Sequence, residues 1–392
     1  MTIQEKDKTY VAHTYNRFPV TLVSGKGSLV KDENGREYID LGTGIAVNTF
    51  GFGDEAWQQA VSAQLGKLQH TSNLYYTQPC ADLAELLCQK TGMKKVFFSN
   101  SGAEANECAI KVARKWAAEH KGSEYSTIIT LKNSFHGRTL TTLSATGQEH
   151  YHELFQPLTP GFVHTTPGNL EELKQLTAAH KVAAVLIECI QGEGGVVPLD
   201  PAYAAALQAF LQQQDILLLV DEVQTGNGRT GALYCYMNYG LQPDVVSTAK
   251  GLAGGLPLGA TLLSEKVQDV LGYGDHGSTF GGNPVSCAGA LSILSRLDDD
   301  LLRQVRAKGE FVKAALSGAP GVVSVTGLGL MLGIKTTKPA GEVVAAAMER
   351  GVLCLTAKDK VRLLPALNIP QDLLEQAVET IKGCCSVSTY TQ

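Results

Sequence analysis

The chain has 392 residues, 44% of them hydrophobic and 18% charged, which excludes a disordered chain and supplies enough apolar material for a large core. Thirty-three Lys and Arg against 38 Asp and Glu give a net charge of −5, with no sign of a polyanion partner. Length sets a prior of about two or three domains, and the apolar runs fall far short of the ~20 residues of a membrane helix.

In chain order, Ser28–Val30 and Tyr38–Leu41 flank a turn at Asp32–Gly35 and read as a hairpin. Leu83, Leu86 and Leu87 predict a helix over Cys80–Lys90. Lys95–Phe98 reads as a strand, Glu104–His120 as an amphipathic helix and Ser126–Leu131 as a strand. Leu170–Ala179 is helical and Val182–Glu188 is a nearly continuous apolar strand. Tyr203–Gln213 is helical, followed by the apolar strand Ile216–Val220 and the shorter Val245–Thr248. Strands apolar on both faces, alternating with helices, predict an α/β fold with a mostly parallel central sheet covered by helices. From about residue 290 the pattern changes. Leu291–Leu297, Leu301–Leu316, Glu342–Arg350 and Asp372–Ile381 look helical, and Val322–Gly333 looks like strands. The expected organisation is a segment 1–50, a large α/β domain 51–290 and a smaller C-terminal α+β domain 291–392.

The nine cysteines are scattered, odd in number and without a Cys-x-x-Cys, so neither a zinc ribbon nor a dense disulfide framework is expected. No metal is expected. Reduced thiols suit a cytoplasmic protein, and the polar, mixed-charge N-terminus lacks the apolar core of a secretory signal.

Four stretches carry chemistry. Ser99–Asn106 follows a strand and opens a helix with small residues, leaving backbone N–H groups free for a phosphate. Taken alone it is equally an N-capped helix start. Asp221-Glu222 ends a buried strand, where α/β sheets bind ligands and an acid can pair with a protonated ring nitrogen. A cap or surface turn is the plainer reading of a lone acid there. Lys250 follows a strand among small residues in Ser247–Gly255, a setting for a buried amine of lowered pKa that forms a Schiff base. By itself it reads as a solvated lysine in a glycine loop. In Ser134–Thr139, Phe135 can stack on a planar group and Arg138 can hold a carboxylate, while His136 reads as structural.

The joint order of these stretches resembles the fold-type I pyridoxal-phosphate enzymes, and among them the class III (subgroup II) aminotransferases. The likeness runs from Tyr15 to the last helix. It is most specific in Leu217–Gly231, with Asp-Glu-Val-Gln-Thr-Gly and Gly-Arg-Thr-Gly, followed by Lys250 in Ala-Lys-Gly-Leu. The resemblance implies that the cofactor is pyridoxal 5'-phosphate, that Lys250 forms the Schiff base and shuttles the proton, and that Asp221 pairs with the pyridine nitrogen. It places Val223 and Phe135 on the ring faces, Gln224 at the phenolic oxygen, and Ser101, Gly102 and Ala103 at the phosphate. Thr279, in Gly277–Pro284, is implied to reach the phosphate of the other subunit, so a homodimer with active sites at the interface follows. Segment 1–50 is implied to pack with the small domain.

On the substrate side the resemblance assigns Arg362 to the α-carboxylate of glutamate, Arg138 to the other carboxylate, and Glu193 to masking Arg362 in one half-reaction. Tyr15, Asn48 and Ser278 join them, and Glu188 stands behind them in the same segment. Gly44 stands where ornithine-specific members carry a tyrosine, which leaves room for an acyl group. The implied reaction moves the terminal amine of N2-acetyl-L-ornithine to 2-oxoglutarate, giving N-acetyl-L-glutamate 5-semialdehyde and L-glutamate in arginine biosynthesis. Alternatives are succinyldiaminopimelate, succinylornithine, ornithine or 4-aminobutyrate as amine donor. Gly51–Glu55 departs from the family's His- and Pro-containing segment, and Cys189 replaces its proline. A nicotinamide dehydrogenase is disfavoured, because no Gly-x-Gly-x-x-Gly with a later acid follows the first strand.

Overall fold

The computed structural model describes residues 1–386; the last six positions of the expected 291–392 domain lie outside the described residues. β1 (Leu22–Lys26), β2 (Leu29–Asp32) and β3 (Glu37–Asp40) form an antiparallel meander. The predicted turn is built by Asp32, whose carboxylate accepts from the N–H groups of Asn34 and Arg36, both at 2.9 Å.

The central sheet takes its strands from β4 (Lys95–Ser99), β5 (Thr127–Leu131), β6 (Phe162–Thr165) and β7 (Val182–Ile187). A small ribbon, β8 (Ile190–Gln191) and β9 (Val197–Pro198), separates these from β10 (Leu217–Asp221), β11 (Val245–Thr248) and β12 (Gly259–Leu263). The seven central strands run in the order β4-β12-β11-β10-β7-β5-β6. β12 runs antiparallel to both of its neighbours, β11 and β4, and the remaining pairs are parallel. β7 and β10 are buried at every position, which is why they read as unbroken apolar runs. Each fully buried Leu, Ile or Val there is worth roughly 1.5–3 kcal/mol of apolar burial. Three chain segments leave the same end of the sheet: β4 toward the helix Gly102–His120, β10 at Asp221, and β11 two residues before Lys250. That end is where an open α/β sheet forms its ligand crevice.

The C-terminal region holds β13 (Val322–Leu328), β14 (Met331–Thr336), β15 (Val352–Leu353), β16 (Leu355–Ala357) and β17 (Lys360–Leu363). Four of these make an antiparallel sheet, β13-β14-β17-β16, with the helices Asp299–Leu316, Ala340–Glu349 and Gln371–Cys385. The helix Asp299–Leu316 buries Leu302, Val305, Val312 and Leu316 along one stripe and is capped by Asp298. β15 instead pairs in parallel with β3, so the N-terminal meander is completed by the C-terminal region.

Several elements differ from the sequence reading. The helix expected at Leu291–Leu297 spans Pro284–Leu294. It is buried on nearly every side, so its Ser, Cys, Ala and Gly residues show no apolar stripe, and its start is set by Asn283 accepting from the N–H groups of Val285 and Ser286. β12 went unread because it opens on small residues. A Cβ at Gly259 would stand 2.3 Å from the Ser101 carbonyl oxygen, so close backbone approach excludes a side chain there. Asp54, in the segment that departs from the family pattern, caps the helix Glu55–Leu65.

Thr43, Gly44, Ile45 and Ala46 all have φ between +48° and +66°, one turn of left-handed backbone. Such a turn costs about 1–2 kcal/mol per non-glycine residue. It is pinned by the Asp40 carboxylate, which accepts from Gly42 N (2.8 Å) and Thr43 N (3.1 Å), and by Thr43 Oγ1 donating to the Leu364 carbonyl (2.6 Å).

Candidate active site

A cavity of about 470 Å³ opens at the C-terminal ends of the parallel strands. It is lined by Ser101, Gly102, Ala103, Phe135, Arg138, Asp221, Val223, Gln224 and Lys250, so the residues singled out in four separate stretches meet in one place.

Asp221 is at the floor. Its Oδ2 accepts from Asn106 Nδ2 and His136 Nδ1, both at 2.8 Å, and its Oδ1 accepts from Val223 N at 2.9 Å. Asn106 is itself fixed by Ser247 Oγ, which donates to its Oδ1 at 2.6 Å. Asn106 and Ser247 lie at the ends of two of the stretches singled out in the sequence, but no role was read for either. The signal was available for Asn106: it is a polar residue on the buried face of Gly102–His120, among Ala105, Ala109 and Ala113. His136, read as structural, is one of the three groups that orient the acid. Its Nε2 is buried without a partner among the described residues. The neighbouring Glu222 turns the other way. It accepts from Thr225 Oγ1 (2.6 Å), Cys235 N (2.9 Å) and Tyr236 N (2.8 Å), and burial pushes its pKa up to about 7.

Lys250 opens a short 3₁₀ turn with φ +46°, strained backbone for a lysine. Asn227 Nδ2 to the Ala249 carbonyl (3.1 Å) and Thr49 Oγ1 to the Gly251 carbonyl (2.7 Å) hold the turn on both sides. Burial draws the amine below the usual lysine range, with Glu193 opposing and Arg362 adding to the shift.

Ser101 caps the helix Gly102–His120 through its Oγ, which accepts from Glu104 N at 3.2 Å. A Cβ at Gly102 would lie 2.6 Å from Val223 Cγ1, so only glycine keeps the helix start open beside that side chain. The N-capped helix and the open cradle coexist.

Arg362, on β17, is buried and donates to Glu193 Oε1 at 2.7 Å and to Gln224 Oε1 at 3.1 Å. Its Nε has no partner among the described residues. Burial pushes the Glu193 carboxyl up, and the Arg362 guanidinium beside it outweighs this and holds it below the usual range. Glu188 lines the cavity. Its Oε1 accepts from Phe135 N (2.9 Å) and its Oε2 from Gly192 N (3.2 Å).

Arg362, Glu193 and several other expected residues are not part of this lining. Tyr15 is 72% exposed on the N-terminal segment, beneath the Arg17 guanidinium. Asn48 follows Val47, which does line the cavity, and its Oδ1 is 3.5 Å from where a Cβ on Gly255 would be. Ser278 Oγ accepts from Asn100 Nδ2 at 3.3 Å, at the cavity's edge. Thr279 faces a different cleft, with His70, Ser72 and Asn73. Gly44 lines a separate apolar pocket of about 330 Å³. A Cβ there would come no closer than 3.8 Å to Asn48 and Val47, so its φ of +64°, rather than crowding, favours glycine. In the Gly-Arg-Thr-Gly stretch, buried Arg229 donates to the carbonyls of Leu330 and Pro365, joining the large sheet to the C-terminal region.

The class-III aminotransferase family model matches residues 10–385. An acetylornithine aminotransferase of Haemophilus ducreyi is 50% identical over 381 residues, 97% of each chain. That of a Synechocystis strain is 43% identical over 95% of this chain and 91% of its own. Among solved structures, N-acetylornithine aminotransferase from Stenotrophomonas maltophilia superposes with a TM-score of 0.84 at 34% identity, covering 97% of both chains. Ornithine aminotransferase from Toxoplasma gondii gives 0.93 at 31% identity, over 97% of this chain and 94% of that one.

Proposed function

The chain belongs to the class-III aminotransferases, and on that premise we propose that it transfers the terminal amine of N2-acetyl-L-ornithine to 2-oxoglutarate, giving N-acetyl-L-glutamate 5-semialdehyde and L-glutamate. It is a pyridoxal 5'-phosphate-dependent transaminase of arginine biosynthesis. When bound, the cofactor supplies an electron sink for the carbon that loses its proton.

The residues present fit that group. The cradle at Gly102 is one a Cβ would fill, and a buried acid and a buried amine of lowered pKa face the same cavity. Ser101, Gly102 and Ala103 would hold the phosphate at a helix N-terminus. Asp221, oriented by three donors, would pair with the ring nitrogen. Phe135 and Val223 would cover the ring faces, and Gln224 would meet the phenolic oxygen. Lys250 would carry the cofactor and then act as base. Its Nζ, drawn toward the neutral amine by burial, takes the proton from the substrate carbon and returns it.

The observation that carries the substrate reading is the masked Arg362. An acylated ω-amine reacts at its terminal nitrogen and leaves its carboxylate remote, so a bare arginine beside the reacting carbon would attract the wrong end. Glu193 at 2.7 Å occupies that arginine. 2-Oxoglutarate has a near carboxylate and needs it uncovered. Arg138 takes the remote carboxylate in both half-reactions, with Tyr15, Asn48 and Ser278 completing the substrate side.

The protein acts as a cytoplasmic homodimer in which Thr279 of the partner subunit reaches the phosphate. Exposed Leu74, Tyr75, Tyr76 and Phe280 near that loop support this, because such a surface is apt for covering by a second copy. The boundaries 1–50, 51–290 and 291–392 are retained as its domain division.

The test is a half-reaction. Cofactor-loaded protein is mixed with N-acetylornithine or with ornithine, without a keto acid, and the cofactor's visible absorbance is followed. Faster bleaching with N-acetylornithine is expected. Faster bleaching with ornithine overturns the substrate and keeps the family.

A further inference from the structure

Arg138 faces the cavity with its guanidinium carbon 4.7 Å from the ring centroid of Tyr151 and 5.6 Å from that of Phe135. The two rings meet edge to face, 5.9 Å apart at 66°. No carboxylate pairs with this arginine among the described residues.

A guanidinium has two faces and an edge. Aromatic rings attract its face, whereas its N–H fork lies in the plane and matches a carboxylate. Rings therefore restrain the group without consuming the donors a substrate needs. An acidic partner would orient the arginine equally well but would occupy the fork, as Glu193 does on Arg362. Phe135 is poorly suited to do this alone, because its ring also walls the cavity.

The turn carrying Tyr151 is braced against the loop carrying Phe135 and Arg138. Tyr151 N donates to the Gln148 carbonyl at 3.1 Å, and Gln148 Nε2 donates to the Ser134 carbonyl at 3.0 Å. Gly147 N donates to Ser134 Oγ at 3.0 Å. The His150 ring packs on Tyr151 with centroids 4.0 Å apart.

We propose that Tyr151 is the positioning residue for Arg138, holding the guanidinium over its ring face so that the N–H donors stay free for the remote carboxylate of both substrates. This rests on reading Arg138 as the carboxylate ligand. Its working part is the ring, not the phenol hydroxyl.

The test compares Tyr151→Leu, Tyr151→Phe and Arg138→Gln in the cofactor-loaded enzyme. Leu keeps the apolar contact of a half-buried side chain while removing the ring. Tyr151→Leu should raise KM for N-acetylornithine and for 2-oxoglutarate about fivefold, with kcat changed by less than about twofold. Tyr151→Phe should restore wild-type KM. The half-reaction with 1-aminopentane, an ω-amine without a carboxylate, should proceed equally in wild type and Tyr151→Leu. Unchanged KM in Tyr151→Leu overturns the proposal, as does a Phe variant as impaired as Leu, or equal losses with 1-aminopentane. Arg138→Gln separates the two levels. If it leaves KM unchanged, the carboxylate reading of Arg138 fails, and the proposal with it. If it raises KM while Tyr151→Leu does not, only the proposal fails.

Discussion

At the floor of the cavity Asp221 is held by three donors from three chain segments, and one of those donors is itself hydrogen-bonded to a fourth. On the substrate side, here called the mouth, buried Arg362 is held by one carboxylate and one amide, and Arg138 lies over two aromatic rings with no carboxylate partner among the described residues. The floor is over-determined and the mouth is not. A group that pairs with one fixed atom gains from being locked. A group that must serve two substrates has to be released between them. Glu193 itself is flanked by Gly192, Gly194 and Gly195, of which Gly192 packs on Gln224 and Gly194 on the Asn133 carbonyl, so any release of the mask falls to the Glu193 side chain rather than to its backbone.

The largest expected break is at the floor. Lys250→Ala should lower turnover by about 10⁴-fold or more, since it removes both the cofactor's attachment and the base. Transamination measured with N-acetylornithine and 2-oxoglutarate checks it. Activity near wild type would remove the amine from the mechanism and collapse the contrast between floor and mouth. The fold should survive, because the turn around Lys250 is held by backbone-directed bonds from Asn227 and Thr49 rather than by the amine.

The floor was also the more legible region. Asp221 ends a strand, Lys250 follows one by two residues and Gly102 starts a helix, so local pattern and chemistry pointed the same way. β7 and β10 were readable because burial on both faces leaves no polar residue to blur the run. What local pattern could not show was partnership. Asn106 and Ser247 are 141 residues apart, and only the parallel sheet brings them to Asp221. The helix Pro284–Leu294 was misplaced for the opposite reason, since burial on nearly all sides erases periodicity. At the mouth, Tyr151 carried no signal at all. It sits in a three-residue turn, and its relation to Arg138 is purely tertiary.

A smaller effect is expected where the mouth is released. Glu193→Gln removes the charge over Arg362 but keeps an acceptor. The freed arginine should draw substrates with a near carboxylate. The ratio of kcat/KM for glutamate to that for N-acetylornithine should therefore rise about tenfold. Half-reactions with each amine measure it. A ratio that does not move would mean that the 2.7 Å pair is a structural ion pair and not a mask.

The smallest expected effect concerns Glu188, which lies between the two regions. One oxygen accepts from Phe135 N, beside the floor, and the other from Gly192 N, next to Glu193. Two donors favour the ionised form. Burial nevertheless pushes its pKa up to about 7, with His136 opposing and Asp221 adding to the rise, while Lys250 stands across the cavity. An unfolded glutamate titrates at its ordinary value of 4.5. Between those values the folded chain keeps a proton that the unfolded chain has released. The stability this group contributes is therefore full below pH 4.5 and is lost as pH rises toward 7, at no more than roughly 1.4 kcal/mol per pH unit. Glu188→Gln cannot titrate. The melting temperature of wild type minus that of the variant should fall between pH 5 and pH 7.5, as thermal melts across that range would show. Glu222, which titrates in the same range, is present in both proteins and cancels. A difference independent of pH would mean that the two N–H donors keep Glu188 ionised throughout. The bridge between floor and mouth would then be a fixed strut with no proton to lose.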